Sequence, residues 1–118
     1  MLIFILKKCW YEKIASGEKK IEYREVKPYW TKRIKNLFPP DYAAKQEEVF
    51  GTAVWGKFDC MEWGKLARPL CQLRKAYTSQ RMTARIKKIE IVCGLGTDLK
   101  IDKPVYAFYL QNIKEAKQ

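Results

Sequence analysis

Residues 2–26 read LIFILKKCWYEKIASGEKKIEYREV, and the periodicities in this stretch decide the fold. Leu2 to Leu6 is a continuous apolar run of β-formers bounded by Lys7 and Lys8, which suits a strand buried on both faces. Trp10, Tyr11 and Ile14 then recur at helical spacing, and Gly17 sits where a left-handed helix stop belongs. From Lys19 to Val26 the period changes to two, with Ile21 and Tyr23 on one side and Lys20, Glu22 and Arg24 on the other. The expectation is strand, short helix, glycine stop and second strand. That second strand sends Ile21 and Tyr23 to the core and turns its charged row to an open face.

Moving outward, Pro28 fits the first turn of another helix with Trp30, Ile34 and Leu37 as its apolar stripe, and Pro39-Pro40 forbids continuation. Residues 41–64 have no clean period. Asp41 can cap a short helix through Val49, and the acidic piece reads as an insertion (about 39–66) or a long loop, with Trp55 and Trp63 either packing it down or offering stacking surfaces. Pro69 to Tyr77 has the length of a strand, and Thr78 to Gln80 makes a polar break. Arg81 to Cys93 is a long strand whose alternation is disturbed at Lys87-Lys88, as a bulge would do. Gly94-Leu95-Gly96 precedes no helical pattern, so it reads as a reversal between strands and not as a phosphate-cradling loop. Val105 to Ile113 is a closing strand, with Lys114 to Gln118 as a frayed tail.

Five strand candidates and two short helices without regular alternation argue against a doubly wound sheet. The reading is an α+β protein, one domain over 1–118, built as a mixed β-barrel with short helices on its rim.

Composition narrows the function classes. Hydrophobic residues make up 47% and aromatics 14%, enough for a core in 118 residues. No apolar run approaches the roughly 18 residues of a membrane span, and Leu2–Leu6 lacks the basic start and cleavage site of a signal peptide, so a cytoplasmic protein without membrane partners is expected. Cys9, Cys60, Cys71 and Cys93 form no C-x-x-C pair and no histidine is present, so the thiols are read as free, and neither a metal nor a cofactor is expected.

The net charge is +11, placed unevenly: residues 1–35 carry +6, residues 36–64 carry −3 and residues 65–118 carry +8. Folding that unites the basic ends makes a surface attractive to phosphate. On the second helix Lys32, Arg33 and Lys35 fall off the apolar stripe, either as a solvated face or as phosphate contacts.

The segment Gly17-Glu18-Lys19-Lys20-Ile21-Glu22-Tyr23-Arg24, after an opening strand and a short helix, resembles the ASCH family of the PUA-like superfamily. Members carry a glycine, a lysine two residues later and an arginine at the end of the following strand. The resemblance extends to Lys27-Pro28-Tyr29-Trp30 and, more loosely, to Ala76-Tyr77 with Arg81 and the strand ending at Gly94; it covers the first third of the chain well, the last third acceptably and residues 39–66 hardly at all. It implies a PUA-like mixed β-barrel with a cleft, lined by Lys19 and Arg24, that takes RNA or a modified nucleoside. One branch of the family removes the acetyl group from N4-acetylcytidine, and others are associated with RNA cleavage. That deacetylating branch has a threonine where this chain has Glu22, so its hydroxyl-dependent step does not carry over.

The residues fit such ligands on their own chemistry. Lys19 and Arg24 supply a point charge and a planar fork, with Lys20 beside them, and Glu22 accepts from base amino groups or pairs with Lys20 or Arg24 across the strand. Trp30 and Tyr77 either pack into the core or stack on a base, and Lys32, Arg33 and Arg81 are candidates for phosphate contact. As an enzyme, Glu22 would serve as general base with Lys19 stabilising an oxyanion. RNA or a nucleotide is therefore the expected partner. A protein-interaction module acting through residues 45–63 is the other class.

Overall fold

A computed structural model describes residues 1–37, 60–62 and 68–115. The expected Asp41–Val49 helix, Trp55, Trp63 and the 45–63 interface lie outside the described residues, apart from 60–62. Among the described residues are six strands and two α-helices: β1 Leu2–Leu6, α1 Lys8–Ala15, β2 Ile21–Glu25, α2 Pro28–Lys35, β3 Cys60–Glu62, β4 Leu70–Lys75, β5 Arg81–Cys93 and β6 Pro104–Glu115. The sheet is mixed, in the order β1-β4-β5-β6-β2 with β3 against β5. β1 runs parallel to β4, and β4 antiparallel to β5. The α+β class with a mixed sheet and two short helices is therefore as the sequence indicates.

The chain groups into two compact units, one of Met1–Glu22, Glu62–Ile89 and Phe108–Gln118, the other of Tyr23–Met61 and Glu90–Ala107. The first unit's core is built on β1, β4 and β5: Phe4, Leu73, Met82 and Ile86 are fully buried, and Phe4 meets Phe108 edge to face with ring centroids 4.9 Å apart. Each such side chain contributes roughly 1.5–3 kcal/mol. In the second unit Ile34 of α2 is fully buried, and the Thr31 hydroxyl shares a 2.6 Å hydrogen bond with the Tyr106 hydroxyl, which ties α2 to β6. Burial pushes the Tyr106 pKa up, and the bond from Thr31 offsets part of that.

Four expectations need correction. β1 is buried on one face only: Leu2, Phe4 and Leu6 point inward while Ile3 and Ile5 are exposed. In β2 the charged row is not open, because Glu22 is buried, while Ile21 and Tyr23 are half-buried. The acidic piece contains a short strand, β3. β6 runs on to Glu115, so Lys114 and Glu115 belong to the strand and not to a tail.

The long β5 is as the sequence reads it. Its buried positions fall at Met82, Ala84 and Ile86 and then at Ile89, so the alternation slips by one residue across Lys87-Lys88. The reversal between β5 and β6 opens with a 3-10 turn, Gly94–Gly96. Gly94 is required there by close packing: a Cβ would lie 2.5 Å from the Ile101 carbonyl oxygen and 2.9 Å from that of Lys103.

Candidate functional site

The first unit's site grows from the end of α1. The helix stops at Ser16, and Gly17 at φ 85° reverses the chain, a conformation that glycine adopts without steric cost. The Lys19 amide then donates to the Lys13 carbonyl at 3.0 Å, folding Lys19 back over the helix. As a result the Lys19 ammonium stands 4.5 Å from the centre of the Trp10 ring, with the Lys13 ammonium at 4.9 Å from the same ring.

On its other side the Lys19 ammonium faces the Glu22 carboxylate, with Nζ 3.7 Å from Oε1. The two side chains are only 11% and 6% exposed. This arrangement explains why Glu22 can be buried in β2, since the reversal at Gly17 delivers a counter-charge to it. Desolvation by burial pushes the Cys71 thiol up to about 12, a hydrogen bond from the Ala84 backbone offsets part of that, and the negative charge of Glu22 adds to the rise.

An ion pair withdrawn from water repays its desolvation only when its geometry is excellent, and 3.7 Å is beyond hydrogen-bond reach. Packing alone is a weak reason for such a pair. It places a cation, an acceptor and an aromatic face within one small cluster, which is the set of groups that a base or a nucleotide engages.

Lys20 is exposed, and its carbonyl accepts from the Leu110 amide at 2.9 Å. In the second unit Arg24 lies over the Trp30 ring at 5.3 Å, and Trp30 is half-buried against Tyr29. Arg33 stacks on Tyr29 at 3.4 Å and donates to its carbonyl, while Lys32 is exposed. Glu25 pairs with Lys27 and Lys103 at 3.4 and 3.6 Å, which neutralises part of that unit's charge. Tyr77 and Arg81 belong to the β4–β5 hairpin of the first unit. Tyr77 is fully exposed at φ 63°, a backbone region that costs a tyrosine on the order of 1–3 kcal/mol.

Sequence reasoning assigned Trp10 only to the helical stripe, although it is the ring under Lys19. The signal was present in the local spacing: a helix that ends in a left-handed glycine sends its next residues back along its last turns. Among the described residues no group of three or more His, Cys, Asp or Glu is placed to hold a metal ion, and no helix is long and apolar enough to cross a membrane. Comparisons with protein-family models, curated proteins and solved structures give no match to this chain.

Proposed function

We propose that this protein binds RNA or a nucleotide, with the cluster of Lys19, Glu22 and Trp10 as the ligand site. The observation that carries this reading is the buried Lys19–Glu22 pair, held at 3.7 Å beside an aromatic face. Its groups match a nucleotide by type: the ammonium for phosphate or a base carbonyl, the carboxylate for a base amino group, the indole for stacking. The net charge of +11 supports a polyanionic partner, and the mixed sheet with two short helices supports a PUA-like barrel of the ASCH type. The free thiols Cys9, Cys71 and Cys93 fit a reducing, cytoplasmic setting.

Calorimetric titration with nucleoside monophosphates, N4-acetylcytidine and a short single-stranded RNA tests this reading. Saturable binding is expected, and that of the mononucleotides and the nucleoside should be lost when the pair is replaced together by Lys19→Met and Glu22→Leu. Equal mononucleotide binding by that variant, shown to be folded, overturns the site.

The same pair favours hydrolysis of an acetylated base as a second reading. A buried carboxylate beside an ammonium can activate water and stabilise the oxyanion that forms. Folded wild-type protein that leaves N4-acetylcytidine intact, under conditions where an authentic deacetylase cleaves it, rejects this reading and leaves the binding function standing.

A further inference from the structure

The β4–β5 hairpin carries a group of arginines that the site above does not use. Arg74 and Arg81 are direct cross-strand partners, so two like charges sit opposite one another on one face, an arrangement that is unfavourable in the absence of a counter-charge. Further along the hairpin Leu70 is opposite Arg85, which places Arg85 on the same face as Arg81 four residues away. Arg68 stands next to it, because the Arg85 guanidinium donates to the Arg68 carbonyl at 2.9 Å.

The acceptors of these arginines are all neutral. Arg74 donates to the Gln72 side-chain oxygen, Arg68 to that of Gln111 at 2.8 Å, and Arg85 to a peptide carbonyl. Among the described residues none of Arg68, Arg74, Arg81 and Arg85 meets a carboxylate, in contrast to Lys19, Lys27, Lys75 and Lys103. Hydrogen bonds to neutral oxygens hold three of the guanidinium groups in place and leave their charge uncompensated. Each retains further N–H donors in a planar fork.

The turn that follows the Arg74–Arg81 pair bears Tyr77, fully exposed and in the left-handed region. A glycine or asparagine is the low-strain choice at such a position, so the ring is kept there against local preference. The neighbouring strand continues the row with exposed apolar groups, since Ile5 is in register with Arg74 and Ile3 with Gln72.

We infer that this outer face of β4–β5 is a second binding surface, and that it takes single-stranded nucleic acid. The arginines engage successive phosphates and Tyr77 stacks on a base. A lone phosphate or nucleotide occupies one or two guanidinium groups, whereas the Arg74–Arg81 pair, with Arg85 and Arg68 beyond it, calls for a polymer with a charge on each unit. Unstacked bases are the partners that an exposed ring and a sheet face can read, which a duplex does not offer. The inference extends the nucleic-acid reading but uses none of the residues of the Lys19 cluster.

The test is fluorescence anisotropy on the full chain with a labelled oligouridine of about twelve nucleotides at two salt concentrations. Two variants are used, Arg81→Gln with Arg85→Gln, and Tyr77→Gly. The arginine variant should bind more weakly, and its slope of log affinity against log salt should be shallower by about 1.4, the loss of two single-strand phosphate contacts. Tyr77→Gly should weaken binding roughly tenfold, within the range for one stacked base, while its melting temperature does not fall. Wild-type affinity in both variants overturns the inference, as does equally tight competition by polyglutamate, which would assign the face to an acidic protein. The Lys19→Met, Glu22→Leu variant separates the two sites. If it loses mononucleotide binding while the hairpin variants keep full oligonucleotide affinity, the Lys19 site stands and the hairpin surface falls. If it keeps mononucleotide binding, and keeps the oligonucleotide binding that the hairpin variants lose, the hairpin surface stands and the Lys19 site falls.

Discussion

The Lys19 ammonium lies 3.7 Å from the Glu22 carboxylate and 4.5 Å from the centre of the Trp10 ring, with both charged side chains almost wholly out of water. A charge pair of this kind responds asymmetrically to substitution. Glu22→Leu alone leaves a buried ammonium and is expected to cost about 3 kcal/mol, whereas Lys19→Met with Glu22→Leu should recover most of that loss. Urea unfolding of the two variants checks this. A single variant as stable as the wild type would mean that the pair is not buried in solution.

The two glycines of the turn after β5 should behave differently. Gly94→Ala drives a methyl group into the carbonyls of Ile101 and Lys103 and should cost on the order of 1–3 kcal/mol. Gly96→Ala meets nothing within 4 Å and should be close to neutral. Melting temperatures of the pair give the comparison directly.

Cys71 makes alkaline stability a measurable property of the core. The unfolded chain releases the thiol proton near the ordinary value of 9.0, and the folded chain retains it to about 12. Between those values the unfolded state holds fewer protons, so stability falls as pH rises, by up to about 1.4 kcal/mol per pH unit from this group. Below pH 9 the contribution is intact. Cys71→Ala should flatten the decline in denaturant midpoint across that window. At pH 8, alkylation of the native protein should mark Cys9 and Cys93, which are exposed, and spare Cys71.

The attachment of α2 can be measured in the same way. Tyr106→Phe removes one partner of the 2.6 Å bond with Thr31, and a loss of about 1 kcal/mol is expected. Thr31→Val in the Tyr106→Phe background should cost less than Thr31→Val alone. Additive losses in this cycle would show that the two hydroxyls do not interact.

Much of the fold could be read because its signals are local. The period change at Lys19, the glycine stop, Pro28 at the start of α2 and the slip at Lys87-Lys88 are each set by neighbours within a turn or a strand. The misreadings have a different origin. Ile3 and Ile5 are as apolar as their buried neighbours, so nothing in β1 itself reveals that one face is bare. Glu22 looks like a member of a solvated row because its partner comes from the reversal at Gly17 and not from the strand pattern. The arginines on the β4–β5 face share a row only through strand register, which the order of residues does not disclose.

Tryptophan fluorescence decides whether the Lys19, Glu22 and Trp10 cluster holds a nucleotide. Mononucleotide is titrated into the wild type and into Trp10→Phe, with calorimetry in parallel. A nucleotide held by the cluster gives a saturable change in emission whose midpoint matches the calorimetric one, and which disappears in Trp10→Phe. An identical emission change in Trp10→Phe, or full affinity after joint replacement of Lys19 and Glu22, would contradict binding there.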